Sequence, residues 1–289
     1  MFKLNKALYG LKQAPRAWNK RIDKFFIEQG FKKCLAEHGV YMKGSKETSL
    51  LIICLYVDDL MLTGSNMQDI EEFKSVMKSE FEMTDLGKLA YFLGMEYLRA
   101  SKGLILHQTK YAAEILKKFN MLDCNSSITP ADANIRNEVT EEDEGVDPTM
   151  FRMLIGSLRY LCQTRPDISY SVGIVSRFMS NPHKTHFLAA KKILRYINGT
   201  IQYGILFPKA QETEKLSMIG YSDADWRGDK IDRRSTTGFV FMLQGVLVSW
   251  SSKKQSIAAL SSCEAEYVAG SSATCQANWF QNVLEELIV

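Results

Sequence analysis

The chain has 289 residues, 46% hydrophobic and 24% charged, which is the composition of a globular protein with room for one large or two ordinary domains. Its formal net charge of +3 is too small for total charge alone to point to nucleic acid. The six cysteines include no CxxC and no close pair, which argues against a disulfide scaffold, and no run approaches the roughly 18 apolar residues of a membrane span.

The first residues, "MFKLNKALYG", lack the apolar core of a signal peptide, so an intracellular location, cytoplasmic or nuclear and not secreted, is expected. "KQAPRAWNKRIDKFFIEQGF" predicts a helix opened by Pro15 and closed by Gly30, with Trp18, Ile22, Phe25 and Phe26 on one face. "VYMKGSKETSLLIICLYVDDLMLTG" predicts a three-stranded meander. Within it, apolar and aromatic residues from Leu50 to Val57 run straight into Asp58 and Asp59. Burying an unpaired carboxylate is costly, so solvent at a turn, a basic partner or a metal ion must compensate. Asn66 predicts the cap of a helix to about Phe81, with Ile70, Phe73, Met77 and Phe81 at helical spacing. "LAYFLGMEYLRASKGLILHQ" predicts a hairpin turning at Ser101, Lys102 and Gly103, and from Thr109 a helix turns Ala112, Ile115, Leu116 and Phe119 inward.

From Asn120 to Pro148 the chain is polar and acidic, with Glu138, Glu141, Glu142, Asp143, Glu144 and Asp147 close together, and predicts an exposed linker. A helical block follows from about Thr149 to Asn198, punctuated by Pro166 and Pro182. The last part predicts strands at "YGILF", "LSMIGYSDADW", "TTGFVFML" and "VLVSWSSKKQS", then one helix from about Ser261 to Leu287. His183 and His186 have the spacing of a metal pair, but no Cys or acid lies close by, so they read as a helix start. Lys184, Lys191, Lys192 and Arg195 form either a basic face for phosphates or an ordinary solvated face.

The adjacent Asp58 and Asp59 carry the sharpest chemical signal. Metal-dependent nucleotidyl transfer needs carboxylates converging on two divalent ions roughly 3.5–4 Å apart, and carboxylate oxygens are what Mg²⁺ prefers. A hairpin tip is a rigid platform for them; a plain solvated turn is the alternative.

"YVDD" at a hairpin tip resembles the signature of reverse transcriptases, and "LYGLKQAPRAWN", Leu8 to Asn19, resembles the helix start that faces template and nucleotide in copia-type LTR retrotransposons. "YFLGMEYL" looks like the primer-grip hairpin of that family, and "DPTMFRMLIGSLRYLCQTRPDISYSVG" like its following helical region. "YSDADW", "RRSTTGFVF", "VSWSSKKQS" and "LSSCEAEYVA" resemble its ribonuclease H domain. The matches run in family order over nearly the whole chain.

The resemblance implies an α+β chain: a partial reverse-transcriptase palm with primer grip and start of thumb over residues 1–120, and an acidic linker at 121–148. A thumb and connection block at 149–200 and a truncated ribonuclease H-like α/β domain at 201–289 complete it. It implies Asp58 as a Mg²⁺ ligand with Asp59 beside it, Tyr56 and Val57 near the primer end, and Leu11, Lys12 and Gln13 near nucleotide and template. It also implies Asp223, on a central strand, as the first ribonuclease H carboxylate and Glu266 as the second, with Glu264 the lesser candidate. The partners it implies are an RNA template with a DNA primer, or an RNA–DNA hybrid, and other Pol segments. The function it implies is RNA-directed DNA synthesis with removal of the RNA strand.

Both sites are expected to be incomplete. The family's palm takes a further Asp from upstream of the "YGLKQAPRAW" helix, where this sequence has "MFKLNKA" with no acid. Its ribonuclease H takes further carboxylates from beyond the "EAEY" helix, near whose end this sequence stops; Glu285 and Glu286 sit on the helix itself. Little activity is therefore expected from the chain alone, because positioning is most of nucleotidyl-transfer catalysis. A noncatalytic nucleic-acid-binding remnant, a subunit completed in trans and an inert product are the other readings.

Overall fold

The structure is a computed structural model; it describes residues 7–8, 10–45, 48–131, 144–209 and 216–288. Met1 to Lys6, and Glu138, Glu141, Glu142 and Asp143 of the acidic stretch, lie outside the described residues. Two compact units emerge, Met1–Phe92 with Gln276–Val289, and Leu93–Cys275.

In the first unit, α1 (Ala14–Glu28) carries Pro15 in its first turn, where a missing N–H costs no hydrogen bond. It ends in a Schellman motif: Gly30 is left-handed at φ +85°, its N–H meets the Ile27 carbonyl at 3.0 Å, and that of Phe31 meets Phe26 at 3.0 Å. The short strand β1 (Lys32–Lys33) then leads into β2 (Val40–Lys43), β3 (Leu51–Tyr56) and β4 (Asp59–Gly64), an antiparallel sheet in that order. The predicted meander is present, with β1 added at its edge. Asn66 caps α2 (Met67–Glu80), its side-chain oxygen accepting the Gln68 N–H at 2.9 Å. Ile22, Phe25 and Phe26 of α1, Phe73 and Met77 of α2, and Tyr41, Leu51 and Ile53 of the sheet share one core. Tyr91–Phe92 forms a short strand, β5.

The second unit opens with the predicted hairpin, β6 (Met95–Ala100) and β7 (Gly103–His107), followed by α3 (Thr109–Lys118). Asp147, the last residue of the acidic stretch before Pro148, caps α4 (Pro148–Leu161) by accepting the N–H of Thr149 at 2.9 Å. A 3₁₀ turn at Pro166–Ile168, α5 (Ser169–Val175) and α6 (Lys184–Gly199) complete the helical block, whose core includes Phe151, Leu154, Ile155, Leu158, Ile193, Leu194 and Ile197. The strand "YGILF", now β8 (Gly204–Pro208), pairs antiparallel with β7. The three strands after it, β9 (Met218–Ala224), β10 (Thr236–Leu243) and β11 (Val246–Lys254), form a separate antiparallel sheet in the order β11-β10-β9.

The chain closes with α7 (Ser262–Ile288), whose residues to Cys275 belong to the second unit and from Gln276 to the first. In the first unit Glu286 accepts the N–H groups of Leu35 at 2.7 Å and Ala36 at 3.0 Å, and the Trp279 indole donates to the Ala36 carbonyl at 3.3 Å. Glu286 therefore anchors a turn. Among the described residues, no helix is long and apolar enough to cross a membrane.

Candidate active site: the Asp-Asp hairpin and a second carboxylate pair

The β3–β4 hairpin turns on two residues, Val57 and Asp58, with Tyr56 paired to Asp59 across its mouth. The alternation that buries Leu51 and Ile53 ends before the tip, where Tyr56, Val57, Asp58 and Asp59 are all exposed. Solvent at a turn therefore compensates the two charges. Val57 has a left-handed φ of +56°, a conformation a β-branched residue adopts at a cost of roughly 1–3 kcal/mol. The turn needs a positive φ at its first central residue to match the twist of the strands, and glycine is the usual choice there. The sequence places Val there instead.

Trp18 of α1 reaches this tip. Its ring lies edge-on to Phe81 at 5.4 Å, and its indole N–H donates to the Val57 carbonyl at 2.6 Å. Helical periodicity assigns Trp18 only to the apolar face of α1; the donor at its rim is a polar function that periodicity does not register. Leu11, Lys12 and Gln13 form the exposed turn entering α1, and the Leu11 carbonyl accepts the Ala14 N–H at 2.9 Å. Trp18 sits about one helical turn beyond Ala14, so the bond ties the two predicted stretches, "LKQ" and "YVDD", to one helix. Asp58 and Asp59 are both exposed at the tip, and carboxylate oxygens are the ligand type that Mg²⁺ takes. Among the described residues no group of three His, Cys, Asp or Glu side chains is placed to hold a metal ion.

In the second unit Asp223 is exposed on β9, paired with Gly238 of β10. The expectation of a central strand is corrected: among the described residues β9 is the edge of its sheet, because β9, β10 and β11 pair in simple chain order. The Glu266 carboxylate accepts the N–H of Ala224, the next residue after Asp223, at 3.3 Å. Glu264 is occupied elsewhere: it accepts the Leu260 N–H at 2.6 Å while its own N–H donates to Ser261 Oγ at 3.1 Å, a reciprocal cap on α7. Asp225, the other acid of "YSDAD", accepts the Thr236 N–H at 2.6 Å and so closes the strand end.

Asp229 is buried, with Lys254 at 2.7 Å, Arg177 at 3.0 Å and the Ile231 N–H at 2.9 Å on its carboxylate. Burial pushes this carboxyl up, but the Lys254 hydrogen bond and the backbone N–H groups outweigh it and hold the pKa below the ordinary value. The His183–His186 pair caps α6, with the His186 ring accepting the His183 N–H at 3.1 Å. Two cations of the supposed basic face are engaged within the fold, Lys184 with Glu144 at 3.0 Å and Arg195 with the Asn125 carbonyl at 2.8 Å.

Residues 1–133 match the family model described as "Reverse transcriptase (RNA-dependent DNA polymerase)". The chain is 38% identical, over 99% of its length, to the retrovirus-related Pol polyprotein from transposon TNT 1-94 of Nicotiana tabacum, and spans 22% of that protein. It is equally 38% identical over 99% of its length to the Pol polyprotein from transposon RE1 of Arabidopsis thaliana, of which it spans 19%. An uncharacterized mitochondrial protein of Arabidopsis thaliana is 40% identical over 79% of the chain, which covers 94% of that relative. No solved structure matches the chain. With its Asp-Asp hairpin held at the edge of an α+β unit and these relatives along its whole length, the chain belongs to the reverse-transcriptase family of copia-type retrotransposon Pol polyproteins.

Proposed function

We propose that this chain is a segment of a copia-type reverse transcriptase with a ribonuclease H-like part, acting inside the cell in RNA-directed DNA synthesis and RNA removal. The observation that carries the reading is the exposed Asp58 and Asp59 on a two-residue hairpin whose strained tip is tied to the helix that begins at "LKQ". Asp58 and Asp59 would hold Mg²⁺, which when bound supplies charge compensation for the attacking and leaving oxygens. Tyr56 and Val57 would lie against the primer end, and Leu11, Lys12 and Gln13 against nucleotide and template. Asp223 and Glu266 would act as a second pair on the hybrid's RNA strand.

No third acidic side chain joins either pair among the described residues. The chain by itself is therefore proposed to be catalytically incomplete and to need a carboxylate from another Pol segment. The test is extension of a labelled DNA primer on RNA with Mg²⁺, beside cleavage of an RNA–DNA hybrid, with and without a chain carrying the upstream palm. The expected result is extension only with that chain, lost in Asp58→Asn, and hybrid binding that weakens with salt. Turnover by the chain alone, abolished in Asp58→Asn or Glu266→Gln, would overturn the incomplete-site reading. Salt-sensitive binding with no turnover in any mixture would leave a binding remnant, and the loss of both would leave an inert one.

A further inference from the structure

We propose that Trp18 is the positioning residue of the Asp-Asp hairpin: its indole N–H locks the Val57–Asp58 peptide and so sets the direction in which the two carboxylates project. The inference rests on the polymerase reading of Asp58 and Asp59 and adds to it a residue that acts through the backbone. Two observations meet here. Val57 occupies left-handed space at φ +56°, where a β-branched residue is least at ease. Its carbonyl, the acceptor at 2.6 Å from Trp18 Nε1, belongs to the same planar peptide unit as the N–H of Asp58. Fixing that oxygen therefore fixes the plane from which Asp58 departs.

The donor itself is held firmly. Trp18 packs edge-on to Phe81, a buried member of the core that α1, α2 and the sheet share. On the strand leading into the turn, the Leu55 N–H is held by the Gly39 carbonyl at 2.8 Å. The tip past Tyr56 is exposed, and among the described residues the indole is a side-chain contact that links it to the core. Without that contact the Val57–Asp58 peptide can rotate through ψ of Val57 and φ of Asp58, which lets the turn relax from the left-handed conformation of Val57, and Asp58 turns with it.

The test is a double-mutant cycle of Trp18→Phe and Val57→Gly in the full chain, read by amide hydrogen exchange without metal or nucleic acid. Phenylalanine keeps the ring against Phe81 and removes only the donor. The expected result is that Trp18→Phe speeds exchange of the Tyr56 and Asp59 amides about fivefold, the value of one net hydrogen bond, and leaves the Phe26 and Ile53 amides unchanged. In the Val57→Gly background, where glycine adopts the left-handed form freely, the same substitution changes the tip by less than about twofold. An unchanged tip, tip and core loosening together, or equal acceleration in both backgrounds would each overturn the proposal. Failure of the polymerase reading shows separately, in the unsubstituted chain, as an absence of Mn²⁺ broadening at Asp58 and Asp59. Where that broadening occurs, Trp18→Phe is expected to raise the Mn²⁺ concentration needed for it several-fold.

Discussion

At the scale of single residues, what a side chain does is decided by who reaches it. Asp229 and Asp223 sit six positions apart in one acidic and basic stretch, yet one is enclosed by Lys254 and Arg177 while the other is exposed. Asp229→Asn should therefore cost about 3 kcal/mol in urea unfolding, because it leaves the half-buried Arg177 without its carboxylate and takes one of two carboxylates, the other being Asp232, from Lys254. The folded pKa of Asp229 is lowered below its ordinary 3.8, so its stabilisation is complete above that pH and is lost as pH falls through the folded value. An acid titration of stability should show this loss below about pH 3.8 in the parent chain and lack it in Asp229→Asn. The cysteines divide in the same way. Burial pushes Cys162 up to about 12, whereas Cys263 and Cys275 are exposed. Alkylation at pH 8 should label the latter two well before Cys162, as peptide mapping would show.

At the scale of elements, the two glutamates of "CEAEY" separate by position within one helix. Glu264 and Ser261 close the first turn of α7, while Glu266 faces the backbone next to Asp223. Ser261→Ala should cost about 1 kcal/mol of stability, the worth of a helix cap. Glu266→Gln keeps an acceptor for the Ala224 N–H and should stay within about 0.5 kcal/mol of the parent chain in urea unfolding. A second element-level device joins the 3₁₀ turn to the end of α6. The buried Arg165 pairs with Asp167 at 2.7 Å and donates to the Thr200 carbonyl at 3.0 Å. Burial alone would raise the Asp167 carboxyl, and the Arg165 hydrogen bonds more than reverse it. Arg165→Ala should cost about 3 kcal/mol by denaturation, since Asp167 is then left without its cation.

At the scale of the whole molecule, the first unit is discontinuous, closed by residues from Gln276 onward. Glu286 and Trp279 hold the turn at Leu35 and Ala36, so a chain ending at Cys275 should become more open to proteolysis there than the full chain. The two N–H groups hold the Glu286 carboxyl below its ordinary 4.5, with that of Leu35 the stronger. The contact is therefore complete above that pH and lost as pH falls through the lower, folded value, and the amide shifts of Leu35 and Ala36 should titrate together below pH 4.5.

Much of this protein was written in local sequence. The Asn66 cap, the Pro15 start and Gly30 stop of α1, the hairpin turn at Ser101 and Lys102, and the inward faces of the helices follow from propensity and periodicity. Those forces act between residues a few positions apart, and the family resemblance was carried by the same short stretches. What only the tertiary structure decided lies across long separations. It placed the Trp18 donor on Val57, paired β8 with β7, put β9 at a sheet edge, enclosed Asp229 and gave Glu286 a turn to anchor. Periodicity reports which face of an element is apolar, but a polar atom at a ring's rim, or a carboxylate's choice between solvent and a distant cation, is set by packing geometry. The sequence by itself determined which carboxylates are offered; the fold decided which of them stand free for chemistry and which are spent on holding the chain together.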